Sequence, residues 1–255
     1  SLAQHIFITS AFSQTPQITT GLNYLISVQN PDGSWGTELS STEILPVTIS
    51  AIETLQLLNQ TGTLNYSNAL SWLQSQGLET TDYLSERIHA LSVSGTDVAL
   101  LVSYLDDLTG AWGGYAGSKV NNLDTALALS ALKKINYPDA DTISYALGYL
   151  LSNQNPDGGF GFYVGDESNV YMTAVVLNTL SQFKSIYNLQ SSISNGVVYL
   201  FTKQSTDGGF GSSTSTVYET ALAFGSLLSS GAVGADKAAN IQNAINYLTS
   251  TQLPN

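Results

Sequence analysis

Gln154-Asn155-Pro156-Asp157-Gly158-Gly159-Phe160-Gly161 decides the fold of this 255-residue chain, because it recurs. Gln204-Ser205-Thr206-Asp207-Gly208-Gly209-Phe210-Gly211 keeps its spacing, and Gln29-Asn30-Pro31-Asp32-Gly33-Ser34-Trp35-Gly36 differs by a serine and a tryptophan. A fourth copy begins at Gln252-Leu253-Pro254-Asn255. Each of the first three follows an apolar segment of helical period and precedes another. That order reads as outer helix, tight turn, inner helix, repeated.

The residue types suit a turn. Glutamine carries two donors and an acceptor, enough to tie down helix-end carbonyls that lack a partner inside the helix. Proline stops the helix, and glycine supplies the positive φ of a sharp reversal. Asp32, Asp157 and Asp207 accept from backbone N–H groups of the turn, and the aromatic that follows (Trp35, Phe160, Phe210) packs beneath the next repeat. These loops hold too few oxygen ligands for a six- to eight-coordinate calcium ion, so the aspartates are expected to be structural.

A second repeat runs beside the first. An aromatic precedes leucine at Tyr24-Leu25, Trp72-Leu73, Tyr104-Leu105, Tyr149-Leu150, Tyr199-Leu200 and Tyr247-Leu248, at intervals of 48, 32, 45, 50 and 48 residues. Those are helix-pair periods, apart from one short unit. An outer helix and turn are expected at about 19–36 and an inner helix at about 41–59, with Pro46 in its first turns. The second pair takes about 64–76 and 83–95, and the third about 96–108 and 121–136, joined by a glycine-aromatic turn holding Trp112. The fourth takes about 140–154 and 168–186, the fifth about 190–204 and 215–230, and a last outer helix about 237–251. Residues 1–13, Ser1 to Ser13, read as a helix that fills the sixth inner place by pairing with the last outer one. The expected fold is therefore all-α, one domain over residues 1–255, with inner and outer rings of six helix pairs. Six inner helices at ~10 Å spacing put their axes ~10 Å from the centre and leave a central funnel of ligand width unless side chains fill it.

Composition narrows the partners. Only 10% of residues are charged and the net charge is −12, with Arg87 the single arginine. That balance argues against nucleic acid, anionic membranes and polyphosphates. Zero cysteines exclude disulfides, a thiolate zinc site and a cysteine nucleophile. A polar, charge-poor, cysteine-free chain is expected to be extracellular or at a cell surface. No apolar run reaches the ~20 residues of a membrane span. The first residues carry no signal-peptide pattern, as in a mature or excised segment of a larger parent chain.

The Gln-x-x-Asp-Gly-Gly-aromatic-Gly turns resemble the glutamine-tryptophan repeats of squalene-hopene cyclases and the related repeats of protein prenyltransferase β subunits. The resemblance covers nearly the whole chain and implies an (α/α)6 toroid. That superfamily also includes complement thioester domains and the cobalamin-binding α-domains of intrinsic factor and transcobalamin, so the scaffold does not fix a function. Class II cyclases carry Asp-x-Asp-Asp-Thr-Ala, whose middle aspartate protonates the substrate. The matching stretch here is Asn121-Asn122-Leu123-Asp124-Thr125-Ala126, with Leu123 at the proton donor's place. The zinc ligands and basic diphosphate pocket of prenyltransferases and the cysteine of thioester domains have no counterparts. Asp106-Asp107-Leu108-Thr109-Gly110 starts like an aspartate-rich diphosphate-magnesium motif but lacks its later acid, and reads as a solvated helix end.

Aligning the inner helices on Asp124-Thr125-Ala126 sets Thr48, His89, Thr125, Thr173 and Thr220 at one level, with Asp124 and Glu219 one residue before. Two carboxylates at one level suit an acid and base pair or a water-assisted metal. Capping of its own helix N-terminus is the commoner role for such an acid. His89, near an inner helix start in this alignment, is a base, a ligand or a packing residue. Tyr163, Tyr171 and Tyr218 are expected near the funnel mouth, where each either offers a ligand a flat face and a hydroxyl or packs as part of the aromatic turn. The leading expectation is a non-catalytic toroid, with no cofactor or metal, that binds a small apolar or amphipathic molecule (terpenoid or cobalamin-like) or a protein partner through Asp124, Glu219, His89, Tyr163, Tyr171 and Tyr218. The rivals are a cyclase-like or carbohydrate-active enzyme using Asp124 and Glu219, and a structural spacer.

Overall fold

The computed structural model describes residues 15–37, 41–77, 79–92, 95–232 and 234–252. Among them the chain is all-α: eleven α-helices, a short 3-10 helix at Ala235–Lys237, and isolated β-bridges within turns. None of these helices is long and apolar enough to cross a membrane. The expected helix at Ser1 to Ser13, and with it the closing pair, lies outside the described residues. Two compact units are distinguished, Ser1–Glu79 with Ala90–Ser92 and Leu253–Asn255, and Thr80–His89 with Val93–Gln252.

The first unit holds α1 (Pro16–Ser27), α2 (Ser41–Leu57) and α3 (Leu64–Ser75). The Thr15 hydroxyl caps α1 and Thr63 caps α3, each accepting an N–H three residues on. Pro16 sits at the first helical position, where its missing N–H costs nothing. Inside α2, Pro46 is tolerated early in the helix. That helix packs against α3 and ends on Asn59, whose φ of +57° reverses the chain.

The second unit carries α4 (Thr81–Leu91, which runs into the first unit over its last residues), α5 (Thr96–Ser103), α6 (Asn122–Lys134) and α7 (Ala140–Ser152). It continues through α8 (Val170–Phe183), α9 (Gln190–Thr202), α10 (Val217–Ser230) and α11 (Ala238–Ser250). Helix α8 packs between α6 and α10; α7 lies on α6, α9 on α8 and α10, and α11 on α10. This alternation is the inner and outer layering read from the sequence. Being flanked on several sides explains why α8 buries ten of its fourteen residues. Small side chains, Ala126, Ala128, Ala131 and Ala174, sit fully or almost fully buried in the inner layer, where helix backbones approach closely.

One set of bonds is repeated at every well-kept turn. Gln154 Nε2 donates to Gly158 O (2.8 Å) and to Ser192 O (2.9 Å) in the first turn of α9. Gln204 does the same with Gly208 O and Asn240 O in α11, and Gln29 with Gly33 O and Asn65 O in α3. The second acceptor thus belongs to the next outer helix, not to the end of the helix the glutamine follows. A carbonyl has two lone pairs, so it can serve its own helix and the glutamine together. Asp157 Oδ1 accepts the Gly159 N–H and the Ser168 hydroxyl, and Asp207 Oδ1 the Gly209 N–H and the Ser215 hydroxyl. Gly158 and Gly208 have φ near +90°, and a Cβ there would stand 2.5 Å from the carbonyl oxygen of Asn195 or Asn243. Only glycine meets both conditions.

The aromatic of each turn is then locked to the following inner helix. The backbone N–H of Trp35, Trp112, Phe160 and Phe210 donates to the hydroxyl of Thr48, Thr125, Thr173 and Thr220 at 2.8–3.0 Å. All four rings are at most 1% exposed. The threonines that the alignment set at one level therefore join turn to helix. Trp35 and Trp112 also spend their indole N–H on the preceding helix, at Leu25 O and Leu101 O.

Candidate functional site

In the second unit the N-terminal turns of α6, α8 and α10 are built alike. Asn121, Asn169 and Thr216 are the N-caps, and each side chain accepts the N–H of the third helical residue: Asp124, Met172 and Glu219. The cap fixes which side chains project at that level. It does not require an acid, since Met172 fills the place in α8 and is 2% exposed.

Asp124 is 6% exposed. Asn121 both accepts from its N–H (2.9 Å) and donates its side-chain amide to Oδ2. Burial pushes the Asp124 carboxyl up from the ordinary 3.8 to about 6; the Asn121 bond holds it down in part, and the charge of Asp82 adds to the rise. Glu219 is less enclosed, and its two oxygens accept from the hydroxyls of Ser212 and Thr216, each at 3.1 Å. The two carboxylates thus occupy equivalent helix positions, each tied to its own cap, on helices that flank α8. Among the described residues no three His, Asp or Glu side chains gather as a metal site.

Tyr171 and Tyr218 are the second residues of α8 and α10, and their rings stack with centroids 6.1 Å apart and planes 26° from parallel. Burial, then Tyr218 and the carboxylates Glu86 and Asp82, hold the Tyr171 hydroxyl well above the usual tyrosine range. Tyr218 leaves 62% of its surface to solvent, yet burial at its hydroxyl end and Glu86 raise it too. Asp82 of α4 therefore acts on both Asp124 and Tyr171, and Glu86 on both tyrosines. Their sequence signal was a pair of acids spaced i, i+4 at the start of an inner helix.

That signal was hidden by the register of α4. The helix starts at Thr81 rather than about residue 83, and His89 lies in its last turn, not near its start. The alignment that set His89 beside Thr125 slipped because the preceding turn has lost its Asp-Gly-aromatic signature. Thr81 anchors the helix instead, donating its hydroxyl to Gly113 O and its N–H to Gly114 O. Tyr163 stands in the loop before α8, packed edge-on against Phe162 at 4.7 Å, with Lys119 Nζ 3.7 Å from its ring centroid. Arg87 is held by Asp97 through two bonds of 2.6 and 2.8 Å. Asp106 accepts from Leu108 N–H, Thr109 N–H and the Thr109 hydroxyl, the arrangement of a local turn.

Comparison with known proteins bears on the scaffold. The chain is similar in fold to ent-copalyl diphosphate synthase from Streptomyces platensis, with a TM-score of 0.66 and 19% identity over 82% of this chain and 44% of that one. It therefore spans less than half the length of that enzyme. A variant of the type II terpene cyclase MstE from Scytonema, in complex with geranylgeranyl dihydroxybenzoate, aligns with a TM-score of 0.49 and 16% identity over 97% of this chain and 65% of that one. No curated protein matches the sequence. The model of the prenyltransferase alpha-alpha toroid domain matches residues 5–87 and 77–255. With helix pairs in two layers and almost the full sequence matched, the chain belongs to the prenyltransferase alpha-alpha toroid domain family.

Proposed function

We propose that the N-terminal ends of α4, α6, α8 and α10 form a non-catalytic binding site for a small amphipathic molecule. The observation that carries this reading is Asp124, a carboxyl buried where the equivalent turn of α8 is content with methionine. A buried acid raised to about 6 costs stability at neutral pH, so its retention asks for a use outside folding. Beside it, the stacked Tyr171 and Tyr218 offer apolar faces and two hydroxyls. Asp82, Glu86 and Asp124 make the surroundings negative, which disfavours a diphosphate and favours an uncharged polar head, such as that of an isoprenoid alcohol. Leu123 stands where a class II cyclase has its proton donor, which supports binding over protonation of an alkene. A single toroid domain of an exported or cell-surface protein is the setting we infer, from its low charge and lack of cysteine.

The test is a thermal-shift and calorimetric screen with farnesol, geranylgeraniol, cobalamin and oligosaccharides. A ligand present at a hundred times its Kd adds about 2.7 kcal/mol to stability. Tyr218→Ala is expected to remove most of that gain without unfolding the protein, because this ring is largely exposed. Turnover of any of these compounds that is abolished by Asp124→Asn or Glu219→Gln overturns the reading in favour of an enzyme. Absence of binding across the set, with a folded protein, favours the spacer.

A further inference from the structure

Nine residues beyond Asp124, about 13 Å along the same helix, Lys133 in the last turn of α6 borders a cavity. It has a volume of about 250 Å³ and lies between the last turn of α6, the first turn of α7 and the end of α8. The α6 end is firmly shaped. Asn136, at φ +54°, donates its N–H to Lys133 O (3.1 Å), and Tyr137 donates to Leu132 O (2.9 Å). This is a Schellman reversal, and it occupies carbonyls that would otherwise repel an anion. Helix α8 ends differently: Lys184 continues in helical conformation, and the N–H groups of Ile186 and Tyr187 both turn back to Phe183 O. One reversing end beside one that runs on leaves the cavity between them.

The walls are apolar and aromatic. Leu132, Ile143 and Phe183 are buried, and Tyr187 meets Phe183 edge-on with centroids 6.3 Å apart. Of the ten lining residues only Lys133 is charged, in a chain whose net charge is −12. Lys133 makes no ion pair among the described residues; its Nζ rests 5.5 Å from the Phe183 ring centroid. The neighbouring carboxylate, Asp139, is committed to α7, where Oδ1 accepts from the Asp141 and Thr142 N–H groups and Oδ2 from the Thr142 hydroxyl. A pocket with one cation, no anion and aromatic walls is complementary to a carboxylate carried on an apolar body. A volume of about 250 Å³ has room for one ring and a short chain.

We propose that this cavity is a second binding site, separate from the helix N-terminal ends, for a small aromatic or branched-chain carboxylate whose charge meets Lys133 and whose body lies against Phe183 and Tyr187. The test titrates hydrocinnamate and, as the oppositely charged homologue, phenylpropylamine into the whole chain, followed by calorimetry and amide chemical shifts. Hydrocinnamate is expected to bind about tenfold more tightly than the amine, the size of one charged hydrogen bond, and to shift amides of residues 132–143 and 183–187. Lys133→Gln lowers its affinity about tenfold, Lys133→Arg keeps it, and Ala140→Trp, at an exposed lining position, abolishes it. Asp124→Asn leaves it unchanged, which separates this site from the one proposed above. Equal affinity for the two probes, or shifts confined to other residues, overturns the proposal even if a variant fails to fold. So does an affinity that survives both Lys133→Gln and Ala140→Trp.

Discussion

The turns at residues 154–161 and 204–211 and the helix starts they lead into obey different rules. Fifty residues apart, the two turns place the same four side-chain types in the same bonds, down to a glycine Cβ position 2.5 Å from a neighbouring carbonyl. At the third residue of α6, α8 and α10 the repeat breaks: a buried acid, then a buried methionine, then a partly buried acid whose N–H is capped by Thr216. Where every copy agrees, the bonds are satisfied within the chain and the role is folding. Where the copies part, the scaffold has left the residue free, and an expensive choice such as a buried carboxylate points outside the fold.

The sharpest way to break this comparison is to attack the agreeing positions. Phe160→Ala and Phe210→Ala each empty a fully enclosed ring site and are expected to cost about 3–5 kcal/mol in urea unfolding. The two losses should match within about 1 kcal/mol, since both rings are at most 1% exposed and their N–H groups bind equivalent threonines. A large inequality would mean that the turns are not equivalent energetically, whatever their geometry.

Next in size is the threonine that joins turn to helix. Thr173→Val keeps the shape but leaves the Phe160 N–H without an acceptor in a buried place, a loss of about 1–3 kcal/mol. Thr173→Ser restores the hydroxyl and should recover most of it. If valine were neutral, the hydroxyl would be a passenger and the repeat would rest on the aromatic alone.

At the departing position the sign reverses. Asp124 titrates at about 6 in the folded protein against an ordinary 3.8, so the folded state holds this proton to higher pH than the unfolded chain. Stability from this group is therefore present below about pH 4 and lost as the pH rises through about 6. Asp124→Asn can still accept from Asn121 and carries no charge, so it should stabilise the protein at pH 7.5 by on the order of 2 kcal/mol. The gain should vanish near pH 4, where both forms are neutral. Urea unfolding at the two pH values decides it; a variant destabilised at both would make the Asp124 carboxylate a structural partner of the Asn121 cap.

The same contrast explains what the sequence revealed. Turns whose chemistry is local could be read at sight: Gln154, Asp157 and Gly158 act within a few residues or on the next helix, and their spacing repeats. The threonine level followed wherever an aromatic marked the turn, at Thr48, Thr125, Thr173 and Thr220. It failed at α4, where Gln76-Gly77-Leu78-Glu79 has no aromatic, and an apolar residue before His89 imitated the pattern. Asp82 and Glu86 were missed through that slip. The stacking of Tyr171 on Tyr218 depends on α8 and α10 standing side by side, and no property of either segment alone contains it.

The smallest expected effect tests the loops rather than the helices. Thirteen residues separate aromatic from threonine in three repeats (Trp35 to Thr48, Trp112 to Thr125, Phe160 to Thr173) but ten in the last, from Phe210 to Thr220. The longer loop before α8 carries Tyr163, and Lys119 rests on its ring. A cation over an aromatic face near the surface contributes about 0.5–1 kcal/mol. Lys119→Gln should therefore lower stability by that amount, while Lys119→Arg, which also stacks, should not. Measured beside Tyr163→Leu as a double-mutant cycle, the coupling should be of the same size. A coupling of zero would leave this loop as extra length with no energetic tie to the helix start it covers, and Tyr163 would then be available to a ligand at no cost to the fold.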